Sequence, residues 1–511
     1  MSCLTCSNCG FVNFLPPEPQ LQTLQTIQSS DNLISQVLRG SRTLLDSEHA
    51  SMREEIAKLE PLRSWYDVQL QEIQLRRHAV LKALENRESI YTPIRRLPRD
   101  ILVEIFHSVC DIWWQGADED ELRDSLDLSG PLWALSRVCG LWRDVLHSSP
   151  ASWARYVLVK FPFSKHACEI LQTYLERTGE HPLSLMIIND STRLILDGEI
   201  IPLLVQSCHR WKNVRIRTTL RHTHCLDSIS HLPVLQTIEI DITDDDDYCS
   251  NICLNAPRLW QATLPSQGIS QVKLPPGITH YSGHITCPED LQLLSQLPKL
   301  RTCHLESSWM SPASFEAPVV MAELRELYVQ DLDILKLLTA PILQSLTITA
   351  DIPKSLSNVT LFFHRSGCRL ESFSICMDVL ESEPPTSISN MFSSEACSTI
   401  SHLKLELGSV WYNIARALTS SSILSNLHRL ILCFENQYFR HSQTERLPLL
   451  DMIRSRRDAG LKTIEVQFNE EEGSDFDDRD IEADIRILIG DNLEMRVEKW
   501  SSLHLDHRLL F

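Results

Sequence analysis

With 511 residues, the chain exceeds what one hydrophobic core organises, so several modules are expected. Its 48 Lys and Arg against 67 Asp and Glu give a net charge of −19, which disfavours general binding to nucleic-acid phosphates. Hydrophobic residues make up 43%, charged residues 23%, and only 15 glycines are present, which excludes fibrous and low-complexity classes; no apolar run reaches the ~18 residues of a membrane-spanning helix.

The start, Met1-Ser2-Cys3-Leu4-Thr5-Cys6, lacks the basic residues and apolar core of a secretory signal. Most of the 16 cysteines stand in apolar segments, as at Cys303, Cys376 and Cys433. A buried thiol behaves as a small hydrophobe, so a reducing cytoplasmic or nuclear compartment is expected and secretion is not. Residues 1–32 read as a flexible tail containing Cys and Pro. Cys3, Cys6 and Cys9 offer three zinc-type ligands with no fourth, the nearest histidine being His49, so no metal is assigned there.

Residues 33–90 read as a helical, coiled-coil-like segment. Leu45, Met52, Leu59, Tyr66, Ile73 and Val80 recur every seven residues, and Ile56, Leu70 and Leu84 reinforce the stripe. His49, Arg63 and Arg77 fall in the same seam, and Pro61 is expected to kink or split the helix. The stripe either self-associates or packs within the chain as a helical hairpin.

Residues 91–160 hold the most specific pattern. A proline turn at Pro93 leads to Leu97-Pro98 and an amphipathic helix, with Asp100 complementing the helix dipole. Ile101, Leu102, Ile105 and Phe106 share one apolar face of it. After an acidic stretch, Asp118 to Asp127, a second helix is expected to carry Leu132, Trp133, Leu135, Val138, Cys139 and Trp142. A Pro150…Trp153 close follows.

Leu97-Pro98, Ile105-Phe106, Val138-Cys139, Trp142-Arg143 and Pro150…Trp153 stand in the order of F-box landmarks, and over about 60 residues the segment resembles an F-box. The insert at 111–129 is longer than the compact family core and reads as a surface loop. The approach through Ser89 to Pro98 also resembles fungal, mushroom-type F-box proteins. The resemblance implies a Skp-type adaptor subunit as partner and, through it, a cullin–RING ubiquitin ligase. Skp docking would fall to Leu97, Pro98, Ile101, Leu102, Ile105, Phe106, Val138, Cys139, Trp142 and Arg143, with Trp142 as the anchor. Some of these must instead form the module's core, and sequence does not sort them.

Residues 161–511 are expected to form one partner-binding domain, and within it residues 180–470 repeat. An apolar residue, a second three positions on and a third two positions later recur from Trp211-Val214-Ile216 to Leu461-Ile464-Val466, with starts 19 to 34 residues apart and a degenerate unit at Ile278-Tyr281-Gly283. Spacing and pattern resemble leucine-rich repeats. The Asn or Cys that such repeats often place three residues past the last apolar position is mostly missing, as at Leu332, with Asn469 the exception, so other groups must satisfy the turns. The fold class expected is multi-domain α+β: an N-terminal helical segment, a small all-α F-box and an irregular α/β solenoid. The polar residues between apolar strand positions, Arg215, Glu239, His304, Tyr328 and Thr347, are the expected substrate contacts, provided the strand register is right. An acidic loop at 470–484 is expected to be solvated, with the segments after it capping the last repeat.

No phosphate loop, dinucleotide fingerprint or nucleophile elbow occurs, and His222-Thr223-His224-Cys225 lacks a second ligand pair. No catalytic residue, metal or cofactor is assigned, and the chain is expected not to be an enzyme. The expected function is a substrate-recognition adaptor of a Skp–cullin–F-box ubiquitin ligase, with a ligase-independent leucine-rich-repeat scaffold as the alternative. Neither nucleic acid nor membrane is an expected partner.

Overall fold

Short strands with buried residues at alternate positions must pair their backbones, and strands separated by crossover segments pair in parallel. In the computed structural model this happens thirteen times over: fourteen strands from Val157–Lys160 to Glu494–Lys499 form one open sheet. Every pairing is parallel and each strand lies beside its predecessor in the chain. Only Val319–Val320 and Leu338–Thr339 step out of this order, pairing with each other in a separate ribbon. The structure describes residues 3–5, 12–14, 31–112, 124–188, 200–218, 226, 228–242, 250–266, 268–307, 318–349, 356–376, 379–380, 383–408, 411–435, 443–469 and 494–499. The chain is a mixed α/β protein that divides into two compact units, Met1–Ile101 and Leu102–Phe511.

In the second unit all eleven repeat units of the sequence coincide with strands, the degenerate one on His280–Ile285. Three strands of the large sheet lie outside that pattern: Val157–Lys160, Leu183–Ile188 and Glu494–Lys499. The sheet therefore begins inside the segment 91–160. The middle apolar positions form one buried ladder, from Val157 and Leu185 through Cys303 and Phe373 to Ile464. Gly283 belongs to the next inward row. A side chain there would meet the Leu264 carbonyl at 2.6 Å and the Tyr281 hydroxyl at 2.7 Å, so the Tyr281 ring takes the space of the missing apolar residue.

Connections scale with spacing. The 34 residues between starts at Leu427 and Leu461 hold the helix Gln443–Asp458, whereas the 19 between Leu324 and Leu343 connect through the short 3-10 turn Ile334–Leu337 and the two-residue strand Leu338–Thr339. Arginines satisfy several carbonyls at these turns. Arg456 is 1% exposed and donates to the carbonyls of Leu418 at 2.6 Å, Ser420 at 2.8 Å and Ile423 in the preceding connection. Arg365 likewise reaches the carbonyls of Leu335 and Leu338, and Arg210 reaches Thr178 Oγ1 and the Gly179 carbonyl. Asn255 to Ser230 and Asn426 to Ser398, each 2.8 Å, add further ties between neighbours. These ties stand where a connection leads into the next strand, away from the positions three residues past the last apolar residue.

In the first unit, Cys3–Thr5 pairs antiparallel with Val12–Phe14 within the expected tail. Cys6 and Cys9 lie outside the described residues, as do His222 to Cys225, the loop 470–484 and the segment after Lys499. The helices are Asp31–Leu38 and the 45-residue Asp46–Ile90. Of the two outcomes expected at Pro61, a kink or a split, the split does not occur. A proline deletes one backbone hydrogen bond, and long helical flanks on both sides propagate through the gap.

Candidate partner-docking site

Two surfaces of the second unit could hold partners. The first is helical. The helix Arg99–Ile112 is followed by Pro131–Val138, Gly140–His147 and Pro150–Ala154. The expected single second helix is thus two. Cys139 is extended (φ −159°, ψ 172°) between them, and Gly140, a poor helix former, starts the next. Arg143 Nε donates to the Ser136 carbonyl at 3.2 Å and so caps the first of the pair. The Val-Cys and Trp-Arg landmarks therefore mark a helix break and its cap.

Burial sorts the expected docking residues. Leu102 and Phe106 are fully buried, with Phe106 against the half-buried Trp142 at 5.0 Å between ring centroids. These two form core, not docking surface, and Trp142 is in part a core residue. Trp153 is also fully buried, its indole N–H on the Leu146 carbonyl at 3.1 Å, edge-on to Trp133 and Tyr174. Arg177 lies over both indoles, at 4.4 and 4.6 Å, which joins these helices to Ala167–Thr178. Ile105 (36% exposed) and Val138 (59%) remain on the surface, as does Ile101 one turn earlier on its helix. Pro98 and Arg143 are exposed; Leu97 and Cys139 are half-buried.

The second surface is the sheet face opposite the buried ladder. Register places Arg215, Glu239, His304, Tyr328 and Thr347 in one row, continued by Ser374 and Lys404. The expected register therefore holds at all five. Over the first two strands this face carries the buried apolar cluster of Leu158, Met186 and Ile188, so the polar row starts at Arg215. Arg215 pairs with Glu239 at 2.7 Å, and in the parallel row Arg217 pairs with Asp241 at 3.2 Å and His284 with Glu306 at 3.2 Å. Tyr328 is a correction: only 8% exposed, it stacks on His304 at 5.2 Å and its hydroxyl accepts from Thr349 Oγ1 at 2.6 Å. It shapes the face and has little surface to offer a ligand. Between the flanking charges the face presents hydroxyls and imidazoles, suited to hydrogen-bonding a polypeptide.

Burial pushes the Cys253 and Cys397 thiols up to about 12 and Cys110 and Cys368 to about 11, the direction opposite to an activated nucleophile. Among the described residues no three His, Cys, Asp or Glu side chains are grouped to hold a metal ion, and no helix is long and apolar enough to cross a membrane. Sequence reasoning missed Arg365 and Arg456; each stands five residues before the first apolar position of its repeat, a weak but readable signal. No family model matches the chain, and no curated protein matches it.

Proposed function

We propose that this chain is a substrate-recognition adaptor of a Skp–cullin–F-box ubiquitin ligase. Residues 97–153 act as an F-box docking on a Skp-type subunit, and the sheet, read as an irregular leucine-rich-repeat solenoid, holds a protein substrate on its polar face. The observation that carries the reading is the sorting of the landmarks. Leu102, Phe106 and Trp153 are buried in the chain's own core, while Ile105 and Val138 stay uncovered on the same small helical segment. An apolar surface of that kind is what a partner's apolar groove buries. The chemistry would belong to the conjugating enzymes. This chain would raise the effective concentration of a substrate lysine near the activated ubiquitin, a task that needs no nucleophile or cofactor.

The test is co-purification with a Skp-type subunit, comparing wild type with Ile105→Asp/Val138→Asp. Phe106 is unsuitable as a probe because a charge there would enter the core. A one-to-one complex with wild type, lost in a double variant that melts at the same temperature, is the expected result. Well-folded wild type that captures no Skp subunit sinks the ligase reading. It would leave the scaffold reading, which the polar sheet face also supports.

A further inference from the structure

The helix Asp46–Ile90 is 45 residues long, about 67 Å at about 1.5 Å per residue, and none of its residues is buried. Two interleaved sets make its seam: Leu45, Met52, Leu59, Tyr66, Ile73 and Val80, alternating with His49, Ile56, Arg63, Leu70, Arg77 and Leu84. Steps of four and three residues are those a second helix fills. Ile56 and Ile73 are each 53% exposed, Leu70 55% and Val80 67%, while Met52 and Leu59 are half-buried, so most of the seam is uncovered. Pro61 lies opposite it, where its ring meets no partner.

The basic residues decide the orientation. They recur every fourteen residues, at His49, Arg63 and Arg77, always in the second set. A parallel in-register pair would lay Arg63 on Arg63 and Arg77 on Arg77 inside a desolvated seam, where like charges repel. An antiparallel pair sets one series against the other. In one register every basic residue meets an apolar or aromatic partner: Arg63 against the Tyr66 ring, Arg77 against Met52, His49 against Val80. The other layers are then Leu45–Leu84, Ile56–Ile73 and Leu59–Leu70, and all twelve seam positions are used. Glu55 falls beside Arg76 of the second copy. Glu60 falls beside Asp67, an unfavourable flank softened by Arg63, which is 3.7 Å from Asp67 on its own helix. Sliding one heptad either way sets His49 against Arg87 or Leu45 against Arg77 and shortens the seam.

We infer that this helix pairs antiparallel with the same helix of a second copy, Leu59 of each opposite Leu70 of the other. The inference is independent of the ligase reading, because it is read on the purified chain with no Skp subunit present. Light scattering on the full chain should give twice the monomer mass. Ile56→Glu/Ile73→Glu, at two exposed positions, should return it to the monomer mass with the thermal transition of the sheet unchanged. Oxidised Leu59→Cys/Leu70→Cys should form a covalent dimer. Neither single variant should cross-link above the wild-type background, since like positions would stand about 16 Å apart along the axis. A monomeric wild type overturns the inference, as does a lone Leu59→Cys that cross-links as readily as the pair.

Discussion

Asp124 stands where the chain covers the first edge of the sheet. Its neighbour Ser125 bonds the edge strand twice, through its N–H to the Leu158 carbonyl and its hydroxyl from the Leu158 N–H, both 2.9 Å. An edge so occupied is closed to strand addition. Burial raises the Asp124 carboxyl to about 7, helped by Asp127 and opposed by backbone N–H groups of Leu126 and Lys160. The folded state thus holds a proton that the unfolded chain releases near its ordinary 3.8. Its stabilising contribution is complete below that value and is lost as pH rises to about 7. Asp124→Asn keeps an acceptor for the Leu126 N–H, at 2.9 Å in the wild type, and cannot ionise. The variant should match wild type at pH 4 and be more stable by roughly 1 to 4 kcal/mol at pH 8 in urea titrations. Equal stability at both values would place the carboxyl in water.

At the level of elements, the connections between strands are held by side chains that reach into the preceding unit. Arg456, on Gln443–Asp458, satisfies carbonyls at the end of Trp411–Thr419 and in the turn after it. Burial holds its guanidinium down to about 10, so the group gives up hydration in exchange for those bonds. Arg456→Ala would strand several buried carbonyls. A loss of about 3 kcal/mol or more is expected, seen as a lower urea midpoint, with Arg456→Lys intermediate because one ammonium cannot span the same acceptors. A shift below about 0.5 kcal/mol would mean that water replaces the guanidinium. The strands themselves were legible, since period-two burial at Ile238-Ile240-Ile242 or Leu403-Leu405 is written in the residues. Val157–Lys160 was not, because it follows the helical segment with no repeat start before it. Nor were the arginine ties, which depend on how closely two connections approach. Among the expected docking residues the sequence located the helix Arg99–Ile112 but ran Pro131–Val138 and Gly140–His147 into one, and Leu102 and Ile105 look alike until packing turns one inward. Tyr328 was assigned to the correct face, and it is covered there by His304 on the neighbouring strand and by Thr349 just past Ser345–Ile348.

On the scale of the whole second unit, strand order makes stability local. Each strand from Leu183–Ile188 to Thr463–Asn469 is bonded only to the strands before and after it in the sheet, so a disturbance has to travel strand by strand. Nearest-neighbour assemblies behave approximately as sums of unit and interface terms. Phe373 is fully buried mid-sheet between Phe363 and Phe392, with ring centroids 6.1 and 6.2 Å away. Phe373→Ala removes both contacts and leaves a cavity worth about 3 to 5 kcal/mol. Hydrogen exchange in the variant should accelerate in Ser345–Ile348, Ser372–Ile375 and His402–Leu407, the mutated strand and its two neighbours. It should remain at the wild-type rate in Leu183–Ile188, eight strands away in the sheet. Uniform acceleration would instead mean that the fourteen strands unfold as one cooperative block. A partner held across several strands of the polar face would then stabilise the entire sheet, whereas with local stability it would protect only the strands it touches.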